Sequence, residues 1–370
     1  MGMNSGLWQG IQARGMDVLA VMGMTKNTGK TVALNHLLAQ ARAAQLALGV
    51  TSIGRDGEDR DVVFFIPKPP VLVWPGTLVA TARITLDRAK VRFKLIDSTG
   101  IDTPMGEILV VKVLDYGEME IAGASRSSDQ VKVIGRLKQC GASLVILDGA
   151  LGRSQHASPA VANGMILATG AAIGGSIGDV IRKTRDRLAV LSIAQADQAT
   201  RSRCELVFSQ GGVGLWDRRG EPLFLAQIPT LNSAETLMKY AHEDIKTIAL
   251  SGAVAGSLWR ALVALATPRP GLDVVVADGT KLFVEAVDLM ALGQLGAQLR
   301  AYRGIHIAGI TLNPFSPVGA SFDAAAFLSA ARQAFAGYAV SDVMLEKQGD
   351  LAGRAAAALT LQAQPVMAAA

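Results

Sequence analysis

The chain is poor in cysteine, histidine and aromatic residues, and each shortage removes a class of function. Only Cys140 and Cys204 occur in 370 residues, without CxxC spacing. A disulfide framework and a cysteine-based zinc site are excluded, and two reduced, buried thiols are expected. The 4 histidines are scattered; His36 falls in a helical stretch and His156 in a polar turn, and neither has a partner at metal-ligand spacing. Aromatics make up 5% of residues, and Lys plus Arg exceed Asp plus Glu only by 36 to 31, without a long basic run. Nucleic-acid binding is therefore unmotivated. Residues 1–15 lack the basic-then-apolar order of a secretory leader. The uncharged stretch 154–178 holds Gln155, His156, Asn163 and several glycines, so it reads as packed helices and a turn, not as a membrane span. A cytoplasmic protein with no membrane or nucleic-acid partner is expected.

What is abundant is apolar material: 50% of residues are hydrophobic and 18% charged. At this length two α/β units are expected in place of one core. Apolar residues 17–22 end in glycine, 30–46 carry helical spacing through Leu34, Leu37, Leu38 and Ala41, and 47–53 form a second apolar run. Strand, loop, helix and strand follow, a βαβ unit if the strands are parallel. Residues 54–125 change texture to short β-rich runs (71–74, 91–96, 107–113, 119–122), broken by Pro67, Pro69, Pro70, Pro75 and Pro104; they read as a β-rich insertion beside the site. A helix over 130–139, a buried strand over 143–147 and a hairpin near 206–225 close a first unit of residues 1–240. A second, smaller α/β unit, 241–352, is expected from strands at 247–250, 273–277, 305–311 and 338–343. Helices at 258–265, 281–300 and 323–335 alternate with them. Residues 353–370 form an Ala-rich tail.

The strongest chemical signal is Gly23-Met24-Thr25-Lys26-Asn27-Thr28-Gly29-Lys30-Thr31, lying between the first strand and the first long helix. Consecutive backbone amides and a helix N-terminus in such a loop suit a polyphosphate. Lys30 would reach the β- and γ-phosphates, the Thr31 hydroxyl would ligate magnesium, and Gly29 would permit close backbone approach. The common GxxxxGKT form wants glycine at position 24, where this chain has Met24, so the loop is a variant. Asp148 closes the apolar run 144–147, where a strand-terminal carboxylate faces the magnesium shell; a turn aspartate before Gly149 is the plain alternative. Arg55, Asp56 and Glu58 leave the second strand at the carboxyl edge. Asp56 or Glu58 is placed to hold magnesium or orient water, while a solvated loop explains the same residues equally well. The expected ligands are ATP and Mg2+; no NKxD-type guanine signature is present.

The loop resembles that of dethiobiotin synthetases and cobyrinic acid diamide synthases, where a nine-residue glycine-to-threonine stretch also ends in GKT. That likeness implies a P-loop NTPase domain. Lys26 lies near, though not at, the extra lysine of the deviant loops in that class, so it contacts phosphate from its own or a partner subunit, as in a homodimer, or is simply solvated. Over most of its length the chain resembles the P-loop subunit of the lysine 5,6-aminomutase (D-ornithine aminomutase-type) reactivase. The resemblance rests on GMTKNTGKTVALNHLL, TSIGRDGED, KPPVLVWPGTLVATA, STGIDTPMGE, VILDGALGRS with ILATGA, and ITLNPFSP. It implies an ATPase that works with a larger MutS-like subunit to exchange damaged cobalamin on an aminomutase of amino acid fermentation. On that likeness the loop 23–31 and Asp148 carry over, and Asp56 less directly. The rival reading is an ATP-dependent ligase that activates a carboxylate, as the loop's relatives do. A nucleotide-gated binding module without turnover is the third.

Overall fold

The computed structural model of the chain describes residues 6–54, 70–149, 158–317 and 319–346. Arg55, Asp56, Glu58, His156 and the tail from 353 lie outside the described residues. In chain order, Gly6–Ala13 (α1) precedes Val18–Gly23 (β1), Lys30–Ala43 (α2) and Leu48–Ser52 (β2). Val71–Val73 (β3), Leu78–Ala82 (β4), Arg83–Asp87 (α3), Phe93–Thr103 (β5), Gly106–Val113 (β6) and Gly117–Met119 (β7) come next. Ser127–Gln139 (α4), Leu144–Asp148 (β8), Gly164–Gly170 (β9), Ile177–Leu191 (α5) and Gln198–Gln210 (α6) follow. Val213–Asp217 (β10) and Pro222–Ala226 (β11) lead through Ala234–Lys239 (α7) to Ile245–Leu250 (β12), Gly256–Ala266 (α8) and Asp273–Val276 (β13). Then come Ala286–Gln294 (α9), Gln298–Ala301 (β14), Ile307–Asn313 (β15), Ala324–Ala334 (α10) and Val340–Ser341 (β16).

The chain is mixed α/β with two large mixed sheets. The first has 9 strands in the order β16-β15-β9-β1-β8-β2-β4-β6-β5, and the second has 5, β11-β10-β12-β13-β14. Strand β1 is fully buried, and its alternation assigns the two layers. Val18, Ala20 and Met22 pack in one cluster with Val133 and Leu137 of α4, Leu188 of α5 and Phe327 of α10. Leu19 and Val21 face the other way, against Leu7 and Trp8 of α1 and Leu34, Leu37 and Leu38 of α2. A strand covered by helices on both faces reads as a continuous apolar run, which is why β1 and β8 stand out in the sequence. β1 and β2 are parallel but do not touch, because β8 lies between and pairs with both.

Several expectations are corrected by this pairing. Residues 164–170, read as part of packed helices and a turn, are the buried central strand β9; its glycines and polar neighbours masked an apolar run. The region 54–125 is rich in strands: β4, β6 and β5 continue the large sheet beside β2, and β3 and β7 form a small ribbon of their own. The division at residue 240 does not follow the sheets. The β10–β11 hairpin, expected to close the first unit, pairs through β10 with β12, whereas β15 and β16, expected in the second unit, pair with β9 in the first sheet. The helix expected over 281–300 is the shorter α9 followed by β14. Its uniform apolar content, with Gly293 and Gly296, conceals the change of period.

No helix among the described residues is long and apolar enough to cross a membrane. Cys204 is fully buried, and burial pushes its thiol up to about 12. Cys140 is only half-buried, not buried as expected, and burial raises its thiol first, with Asp97 adding to it. At pH 8, iodoacetamide should alkylate Cys140 before Cys204, with Cys204 reacting only on unfolding. Peptide mass mapping that finds the two modified at equal rates would contradict this packing.

Candidate functional site

The loop 23–31 runs from the last residue of β1 to the first turn of α2, so Lys30 is the first helical residue. The cap before it is Gly29, left-handed at φ 82°, with no side-chain cap, and the first turn of α2 has no acidic residue. The positive end of the helix is thereby left uncompensated by any carboxylate of its own, the condition under which it favours an anion. Asn27 is also left-handed, at φ 62°. Alternating handedness of this kind gathers backbone N–H groups into a concave anion cradle. The loop is braced from within, since the buried Thr28 hydroxyl donates to Thr25 O at 2.9 Å. A Cβ on Gly23 would come within 2.8 Å of that same hydroxyl.

Lys30 and Asp148 meet across the junction of β1 and β8. Lys30 Nζ lies 2.9 Å from Asp148 Oδ1, with side chains 14% and 5% exposed. The ammonium also donates to Gly149 O. Asp148 is the last residue of β8, one strand over from β1. Gly149 is needed beside it because a Cβ there would meet Val21 O at 2.6 Å. Thr31 is buried in the first turn of α2, and Lys26 is exposed. The structure therefore gathers Gly23, Asn27, Thr28, Gly29, Lys30, Thr31 and Asp148 at one sheet edge. His36 is a buried histidine further along α2, with Nε2 3.5 Å from Glu346 Oε2.

One residue at this edge was noted in the sequence only within ITLNPFSP, as a docking surface or a strand-ending turn, and not as part of this site. Asn313 ends β15, and its Nδ2 donates to Asn27 O at 2.6 Å. The available signal was its place at the end of an apolar run, the same place Asp148 holds in β8.

Glycine at position 29 is a conformational requirement. Gly29→Ala should cost about 1–2 kcal/mol, because a left-handed residue with a Cβ is strained. That Cβ would also lie 3.1 Å from Asn313 Cβ. A denaturant midpoint equal to that of the unmodified protein would contradict the observed conformation.

No protein-family profile, no curated protein and no solved structure matches this chain.

Proposed function

We propose that this chain binds ATP with Mg2+ at the loop 23–31 and hydrolyses it as the ATPase subunit of a reactivase for a cobalamin-dependent aminomutase. The observation that supports nucleotide binding is the pair of partly accessible Lys30 and buried Asp148 at the N-terminus of a helix without a side-chain cap. A cation and a carboxylate meet there, with Thr31 in the same helical turn, and a triphosphate and its metal need a cation, a carboxylate and a hydroxyl. Magnesium keeps several waters and takes few protein ligands, so one carboxylate and one hydroxyl suit it. When bound, the metal neutralises charge on the phosphates. In that reading Lys30 turns from Asp148 to the phosphates, Asp148 is released toward the metal, and Gly29 lets the backbone approach. Exchange of one ion pair for two is a local switch of the kind that orders or frees neighbouring segments. The reactivase part of the reading is supported by the sequence segments that resemble that family, and implies a MutS-like partner subunit.

Calorimetric titration with ATP and Mg2+, followed by phosphate release with and without the aminomutase and its partner subunit, tests both parts. Saturable ATP binding with slow release, accelerated by the protein partners, is expected. Absence of ATP binding sinks the whole reading. Acceleration by a small carboxylic acid alone, with no protein partner, replaces the reactivase by a ligase.

A further inference from the structure

The loop 23–31 does not hold its shape alone, because a side chain from the far end of the chain is attached to it. Asn313 lies 286 residues beyond Asn27, and its Nδ2 donates to Asn27 O at 2.6 Å. The orientation of the amide is determined at its other end, where Asn313 Oδ1 accepts from Phe315 N at 3.2 Å. An amide has one acceptor and one donor end, so that bond leaves Nδ2 for the loop.

The approach is built into the sheet. β1 pairs with β9 and β9 with β15, placing Gly23 opposite Ala168 and Asn313 opposite Gly170. Met24 N continues this by donating to Ala168 O at 2.9 Å. A Cβ on Gly170 would meet Asn313 O at 2.2 Å, and one on Gly29 would meet Asn313 Cβ at 3.1 Å. Glycine on both sides thus admits Asn313 against the loop. The carbonyl it holds belongs to Asn27, one of the two non-glycine residues among the described ones with positive φ.

We propose that Asn313 is a positioning residue for nucleotide binding: it holds segment 27–29, left-handed at Asn27 and Gly29, in its anion-cradling shape before ligand arrives. This rests on the reading of the loop as a phosphate site. A loop already in its bound shape binds more tightly because less ordering remains to be done. The effect falls on affinity, not on the rate of the bound complex, since Asn313 acts through the Asn27 backbone.

The test uses the full chain with Asn313→Ala and the isosteric Asn313→Asp, whose carboxylate cannot donate. Both should weaken ATP·Mg2+ binding about tenfold or more, the loss of one well-made hydrogen bond near charge. Phosphate release at saturating ATP should change less than about threefold, the signature of lost uniform binding. Without nucleotide, amide exchange over residues 24–30 should speed up in both variants, whereas a residue that serves only general packing would leave that segment no more affected than the rest. Unchanged affinity in a folded Asn313→Asp variant overturns the proposal if the unmodified protein binds ATP. If the unmodified protein binds none, the nucleotide reading has failed, and with it the assigned role; the exchange data still decide whether Asn313 clamps the loop.

Discussion

Lys30→Ala should lower ATP affinity by about 100-fold or more, the scale of a charge-assisted phosphate contact in a preformed site. The ammonium is anchored by its place at the first residue of α2 and by Asp148 at 2.9 Å. Lys26, the other lysine of the loop, is exposed. The same substitution has a second consequence. Asp148, 4% exposed, is left buried without its cation, and breaking such a pair destabilises, here by about 2 kcal/mol, below the fully buried range because Lys30 is partly accessible. Circular dichroism should therefore show a native spectrum with a lowered melting temperature, and titration calorimetry should show the weakened binding. A folded Lys30→Ala variant with normal ATP affinity would remove the loop from consideration as a phosphate site.

Asp148→Asn should separate metal from nucleotide. The amide keeps the shape of the carboxylate but removes the charge that holds Lys30 at Nζ to Oδ1 distance. Without magnesium, ATP should bind at least as tightly as to the unmodified protein, because Lys30 is freed and one negative charge near the phosphates is gone. With magnesium, phosphate release should fall by about 100-fold or more, since in the proposed site the metal would lose the Asp148 carboxylate. Titration in EDTA and in Mg2+ separates the two effects. Retained magnesium dependence and unchanged turnover would place the metal carboxylate elsewhere, and the residues around Asp56, outside the described segments, would be the next to replace.

The parts of the molecule legible in the sequence are those where local pattern and local chemistry coincide. The run before Gly23, the GKT at 29–31 and the spacing of Leu34, Leu37 and Leu38 are each contained within a few residues. They locate β1, the loop and α2 within a residue or a few. Asp148 was legible because it terminates β8, another locally apolar run. The β4 strand, LVATA, was not, since its small residues resemble a loop. Strand β14 was hidden inside an apparent helix. The role of Asn313 had no local signal beyond the end of a strand, because the group it holds lies at the opposite end of the chain.

By itself, the sequence determined that this is an α/β chain with a glycine-rich loop opening a helix, and that a cation, a hydroxyl and a strand-terminal carboxylate are available for one site. Periodicity and backbone stereochemistry act over a few residues, so they are written locally. Only the tertiary structure decided which strands share a sheet: β8 inserts between β1 and β2, β10 leaves for the second sheet, and β15 returns to the first. Apolar strands buried on both faces are nearly interchangeable as sequences, and partner choice is made by packing over the whole chain. That choice is what brings Asp148 to Lys30 and Asn313 to Asn27.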